Sequence, residues 1–160
     1  MKHYFINLCL SVGMLIAFVS CDNKPEQEID MRDKYVGTYS YSTKGSVDVL
    51  YGAIKILTVS LDEEGELKIS KVGDKDQVIV TGYKDTIQAT VSGDKLMLEP
   101  FVIDMKNETY SAQVTFGDVQ ATLNDNVLTW NTEVDVELKY GSYTASGSGP
   151  LSMTATKKNN

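Results

Sequence analysis

Histidine and cysteine are almost missing from this sequence of 160 residues. The one histidine is His3, and the two cysteines are Cys9 and Cys21, so both residue types are confined to the amino-terminal end. The rest of the chain has no imidazole for a Ser-His-Asp relay, no thiol nucleophile and no Cys/His zinc site. It also lacks the glycine-rich patterns that cradle nucleotide phosphates. We therefore expect a protein that is not an enzyme and that holds no metal ion or cofactor.

Clusters of basic residues are also missing. The chain has 15 Lys and Arg against 22 Asp and Glu, for a formal net charge of -7. Contacts to nucleic-acid phosphates require basic side chains, so this balance argues against a nucleic-acid partner. It argues equally against attraction to anionic lipid by charge alone.

Long apolar runs are absent except at the amino terminus. Lys2 is followed by a mostly apolar stretch from Tyr4 to Val19. That stretch is short of the roughly 20 apolar residues needed to span a bilayer, and it has the charged start and apolar middle of a signal peptide. We predict a signal peptide over residues 1–20.

The segment Phe18-Val19-Ser20-Cys21 resembles a bacterial lipobox, with an apolar position and two small or short positions before the cysteine. The resemblance implies a diacylglyceryl group on the Cys21 sulfur, cleavage after Ser20, and acylation of the new amino group by a chain such as palmitate. One acyl chain binds a membrane only marginally, whereas three chains make release negligible. An ordinary secretory signal and an uncleaved anchor are the alternatives.

Polar residues follow Cys21 at once. Asp22, Glu26, Glu28 and a proline give residues 21–33 the composition of an extended, solvated, acidic tether. Such acidic stretches resemble the export signals of surface lipoproteins in some Gram-negative bacteria, although Asp beside the cysteine retains lipoproteins in the inner membrane of others. We expect a lipid anchor in the outer membrane, at its periplasmic or cell-surface face.

Apolar and polar residues alternate through residues 34–157, and helical periodicity is scarce. The longest alternating run places Leu128, Trp130 and Leu138 on one face. Turn residues recur between short runs, and Asp62 to Gly65 is predicted as a tight hairpin in which Gly65 has a positive φ. The pattern predicts an all-β domain, an antiparallel up-and-down β-barrel of about 8 to 10 strands, with a β-sandwich as the alternative. Residues 158–160 form a polar tail.

The segment Tyr35-Val36-Gly37-Thr38-Tyr39 resembles the Gly-x-Trp element that begins the first strand of lipocalin-like and calycin-like barrels, with Tyr39 in place of tryptophan. The closing run from Gly147 to Ala155 resembles the last strand of small lipocalin-like bacterial lipoproteins. This resemblance implies an eight-stranded barrel with an interior cavity. In that family the tryptophan plugs the closed end of the barrel.

Aromatic residues provide the main candidates for a binding site. Five of them fall on predicted inward faces, where they either line a cavity for a small apolar ligand or a sugar, or form a filled core: Tyr39, Tyr41, Tyr110, Trp130 and Tyr143. The favoured function is a lipid-anchored envelope module that holds a small apolar ligand or docks a protein partner of the envelope. A structural or adhesion β-sandwich is an alternative.

Two further motifs carry separate hypotheses. Glu133, Asp135 and Glu137 share the polar face of one strand, so they are either a solvent-facing stripe or the carboxylates of a glycan-acting enzyme. Asp85-Thr86-Ile87 matches a short bacterial O-glycosylation motif, which makes Thr86 a candidate modification site.

Overall fold

The computed structural model describes residues 29–73, 75–83, 85–106 and 111–159. The described part of the chain is all-β. Its eleven strands are β1 (Gly37–Tyr51), β2 (Ile54–Ser60), β3 (Glu63–Lys71), β4 (Gln77–Tyr83), β5 (Asp85–Ser92), β6 (Lys95–Leu98), β7 (Phe101–Lys106), β8 (Ser111–Phe116), β9 (Val119–Asn124), β10 (Val127–Tyr140) and β11 (Tyr143–Lys157). Within these residues no helix has the length and apolar character needed to cross a membrane.

Eight strands close into an antiparallel barrel in the order β1-β3-β4-β5-β6-β9-β10-β11, with β11 returning to β1. The predicted antiparallel barrel is therefore confirmed, and the alternative β-sandwich is not. Closure removes the free strand edges that would otherwise invite aggregation.

Three strands, β1, β10 and β11, are long enough to extend beyond the closed barrel. β1 pairs with β3 through residues 37–43 and with β2 through residues 46–51. β10 likewise pairs with β9 through residues 127–129 and with β8 through residues 134–139. The outer parts of these strands form a second sheet in the order β2-β1-β11-β10-β8-β7, which we call the extension.

At the corner between β2 and β3, the chain leaves the extension and enters the barrel. Thr43, on β1, donates from Oγ1 to the Leu61 carbonyl at 2.6 Å and accepts from the Glu63 amide at 2.9 Å. These bonds hold the bend, so that β2 and β3 both pair with β1 and not with each other. The predicted hairpin at Asp62 to Gly65 is therefore wrong.

Gly65 has a different role from the one predicted. It lies inside β3, and its φ is not positive. A Cβ atom on Gly65 would lie 2.9 Å from the ring of Tyr41. Glycine is required here because it leaves room for an aromatic ring against the backbone.

One hydrophobic core, built mainly by alternate residues of the strands, runs through the barrel and into the extension. The largest fully buried side chains include Tyr35, Tyr39, Phe116, Leu67, Ile69, Leu96, Leu128, Leu151 and Met153. Burying one such aliphatic or aromatic side chain stabilises the fold by roughly 1.5–3 kcal/mol. The long alternation of β10 is confirmed, with Leu128, Trp130 and Leu138 all buried.

Two tyrosines close the end of the barrel where β1 begins. The Tyr39 hydroxyl donates to the Tyr35 carbonyl at 2.7 Å, and the Tyr35 hydroxyl donates to the Gly93 carbonyl at 3.2 Å. Burial raises the pKa of each phenol to about 12. Tyr39 is completely buried at this end of the barrel.

Candidate apolar ligand site

Three of the five predicted aromatic residues belong to the core. Tyr39, Tyr41 and Trp130 are 0%, 5% and 6% exposed, and all three pack in the core cluster. They face inward, as the alternation indicates. None of them lines the cavities described below, so their contact with a ligand stays a prediction. Tyr110, like Ser20 and Cys21, lies outside the described residues.

Tyr143 does not point into a closed interior, because it is 61% exposed. It forms the last pair of the β10–β11 ladder with Tyr140, next to the turn that joins the two strands. This pair lies at the tip of the extension, where alternation no longer separates a buried face from an exposed one.

Tyr143 meets Tyr51, the last residue of β1, at the same tip. Their ring centroids are 6.0 Å apart and the ring planes are inclined by 79°. Such an edge-to-face arrangement is a favourable geometry for two aromatic rings. Tyr51 and Tyr140 are about half exposed, as Tyr143 is.

A cavity of about 470 Å³ opens between these tyrosines, and we call it the tyrosine cup. Four strands contribute to its wall, and no charged residue lines it. The lining residues are Tyr51, Ile56, Leu57, Leu138, Tyr140, Tyr143 and Ala145. The wall is almost entirely apolar, and a predominantly apolar wall is typical of ligand sites.

Exposed apolar side chains continue from the cup onto the tip of the β1–β2 hairpin. Leu50, Ile54 and Ile56 are 40%, 69% and 48% exposed. The charged residues nearby are paired. Lys55 binds Asp48 at 2.7 Å and lowers the pKa of that carboxyl, and Lys139 binds Glu137 at 2.7 Å. A contiguous exposed apolar patch of this kind typically marks a binding surface.

The candidate carboxylates lie on the outer face of β10. Glu133 and Asp135 are exposed, and Glu137 is partly buried. Asp135 accepts a hydrogen bond from the Ser148 hydroxyl at 2.7 Å. This is the arrangement of a solvent-facing stripe, with the three side chains along one strand and not across a cleft. Among the described residues no group of three or more His, Cys, Asp or Glu is placed to hold a metal ion.

Thr86 is exposed on β5, and its amide donates to the Asp85 carboxylate at 2.8 Å. The side chain is therefore accessible from solvent. Whether it carries a glycan stays a prediction.

Sequence reasoning missed the cup because alternation does not indicate how far each strand extends. A usable signal was present. Tyr51 is followed by Gly52, and Tyr140 is followed by Gly141, so a tyrosine precedes a glycine turn at both hairpin tips. Since β1, β10 and β11 are neighbours in the sheet, these two turns lie at the same end.

Comparison with known proteins identifies no family for this chain. No protein-family model matches the sequence, and no curated protein matches it. The solved structure of the ywiB protein from Bacillus subtilis aligns with 77% of this chain and 93% of that chain, at 10% identity and a TM-score of 0.35. A likeness at this level supports no statement about function.

Proposed function

We propose that this protein is a lipid-anchored module of the bacterial outer membrane that holds a small apolar ligand in the tyrosine cup. The observation that carries the proposal is the cup itself. Its volume of about 470 Å³ is large enough for a small ligand, within the roughly 300–1,000 Å³ typical of ligand pockets. Its uncharged wall favours a hydrocarbon or aromatic body over a sugar, which would need several polar partners.

The three tyrosines provide the specificity that an aliphatic wall alone would lack. Their rings offer flat contact surfaces for a hydrocarbon or aromatic ligand. Leu57, Leu138 and Ala145 form the apolar floor beneath them. Release of water from these surfaces would supply most of the binding free energy.

The position of the cup also fits an anchored protein. β1 runs for 15 residues from the closed end to the cup, a length of roughly 45 Å at the rise of a β-strand. Ile29, the first described residue, precedes the segment that closes the opposite end. A tether from Cys21 would thus hold the closed end toward the membrane and leave the cup open to the aqueous side.

A fluorescence titration with the apolar probe phenylnaphthylamine tests this proposal. We expect saturable binding that Tyr143→Ser weakens by about tenfold or more, because the substitution removes one wall of the cup. The matched control is Met97→Ser, which removes another exposed apolar side chain, on β6, and should leave binding unchanged. Absence of saturable binding, or equal affinity in all three proteins, would contradict the proposal.

A further inference from the structure

The core reaches the surface along two strand edges. Five apolar residues pack against the core while remaining only partly buried, and all five lie on β2, on β7 or at the corner after β2: Leu57, Val59, Leu61, Phe101 and Met105. A cavity of about 270 Å³ lies between these edges. It is lined by Ser60 to Glu63 on one side and by Ile103 and Met105 on the other. We call this region the seam.

The seam exists because the extension has fewer strands than the closed barrel. The closed barrel has eight strands, and β4 and β5 are two of them. The extension lacks a counterpart to the β4–β5 hairpin, so β2 and β7 end its strand order. In the described chain, β2 pairs only with β1 and β7 only with β8.

Both edges of the seam therefore present backbone N–H and C=O groups that no neighbouring strand uses among the residues that the structure describes. Such edges are templates for an added strand. A hydrocarbon could cover the five apolar side chains, but it would leave these backbone groups without a strand partner. An extended polypeptide satisfies both requirements, since it offers backbone hydrogen bonds along its length and side chains on one face at every second residue.

We propose that the seam binds an extended segment of a partner protein, which pairs with the free edge of β2 and inserts apolar side chains at alternate positions between β2 and β7. Asp62 and Glu63 line the cavity at the corner end, so a basic residue at that end of the segment would complement them. Residues 22–28 of this chain, Asp-Asn-Lys-Pro-Glu-Gln-Glu, have no alternating apolar residues and include a proline. The chain's own tether therefore lacks the required pattern.

A peptide titration followed by amide NMR tests the proposal. The probe is the synthetic hexapeptide KVDVLY, which copies Ser46–Tyr51 with lysine in place of Ser46. That stretch of β1 already pairs with the opposite edge of β2, with Val47 facing Val59, Val49 facing Leu57, and Ser46 facing Ser60 next to the corner. We expect a dissociation constant below about 1 mM, shifted amides in β2 and β7 with slower exchange in β2, and at least about tenfold weaker binding of the control peptide KSDSLY.

Substitutions in the protein give a second comparison. Met105→Glu places a charge in the seam and should abolish peptide binding. Lys106→Glu adds an acidic residue at the next position of β7, where the side chain is exposed, and should leave binding intact. If Met105→Glu does not fold, the comparison of the two peptides on the unchanged protein still decides the question.

Several results would overturn the proposal. These are equal affinity for the two peptides, no binding up to about 1 mM, or amide shifts confined to the tyrosine cup or to β4 and β5. A dimer whose β2 amides are already protected would identify a second copy of this chain as the occupant. This proposal is independent of the proposed function, because phenylnaphthylamine binding at the cup can persist when the peptide fails to bind.

Discussion

The packing of Tyr41 depends on the absence of a side chain at Gly65. The Tyr41 ring occupies the space that a Cβ atom of Gly65 would need. Gly147 has the same role between two strands, because a Cβ there would collide with the backbone carbonyl of Asp48 on β1. At both positions glycine is needed for close approach and not for an unusual φ.

Replacing Gly65 by alanine should therefore destabilise the barrel. The new methyl group must displace the Tyr41 ring from a packed core, which typically costs about 1–3 kcal/mol. The control is Gly117→Ala at the β8–β9 corner, where an added Cβ meets nothing within 4 Å. Urea unfolding should show a lower midpoint for Gly65→Ala alone, and equal midpoints for both variants would contradict the packing role.

The buried Tyr35 and Tyr39 hydroxyls should make the free energy of unfolding depend on pH in the alkaline range. Burial raises the pKa of both phenols from 10.0 to about 12. The stability that they contribute is present below pH 10 and is lost as the pH rises toward 12, because the unfolded chain ionises first. Tyr39→Phe should remove part of this pH dependence and, by leaving the Tyr35 carbonyl without its donor, cost about 1–3 kcal/mol at neutral pH. Denaturant unfolding at neutral and alkaline pH measures both effects, and an unchanged alkaline profile in Tyr39→Phe would contradict them.

Ion pairs and hydrogen bonds hold the segment before β1 against the turn between β3 and β4. Asp30 binds the Arg32 guanidinium and the Lys71 ammonium, each at 2.8 Å. Arg32 in turn donates from Nη1 to the Val72 and Gln77 carbonyls at 3.4 and 3.3 Å. The hydrogen bonds from Arg32, and then from Lys71, hold the pKa of Asp30 well below its usual value of 3.8.

Low pH should therefore weaken the ion pairs of Asp30 and destabilise this end of the barrel. Because the pKa of Asp30 is lowered on folding, its contribution is present at neutral pH and is lost as the pH falls below about 4. Asp30→Asn should lower the urea midpoint at pH 7 and make its loss in acid shallower. Asp125→Asn, in the exposed β9–β10 turn, is the control. If both variants show the acid profile of the unchanged protein, Asp30 does not fasten the segment.

The strands of the barrel were more predictable than their connections. Alternation around Trp130 and Leu138 identifies a strand face from local sequence, because a strand buried on one side must alternate. The same pattern does not say that β10 changes partner from β9 to β8 along its length. The bend after Leu61 depends on hydrogen bonds to Thr43, which lies 18 positions earlier. Local sequence does not contain that contact, so the acidic stretch after Leu61 predicts a hairpin that does not form. The cup was missed for a related reason, since it depends on two distant hairpin tips meeting in space.

The whole molecule has two ends with different chemistry. The closed end is fastened by ion pairs and by buried tyrosines, whereas the other end exposes Tyr51, Tyr140 and Tyr143 around an uncharged cup. A protein held to a membrane by its amino terminus would present the second end to its surroundings. The proposed anchor and the proposed site therefore need not compete for space.

Removing the proposed acylation site tests the anchor. Cys21→Ala should shift the protein from the membrane fraction to the soluble fraction, because the diacylglyceryl group then has no sulfur to attach to and one acyl chain alone binds a membrane only marginally. Cys9→Ala is the matched control, since Cys9 lies within the predicted signal peptide and should not affect anchoring. Immunoblots of separated membrane and soluble fractions measure the change, and membrane retention of Cys21→Ala would contradict the lipid anchor.

Native mass spectrometry of the protein extracted from its own membrane tests the central claim most directly. We predict a chain that begins at Cys21, carries acyl groups, and retains a non-covalent apolar molecule that is released on collisional activation and is missing from Tyr143→Ser. A folded protein that carries no such molecule, or one whose bound molecule is retained unchanged in Tyr143→Ser, would contradict the claim that the tyrosine cup is a ligand site.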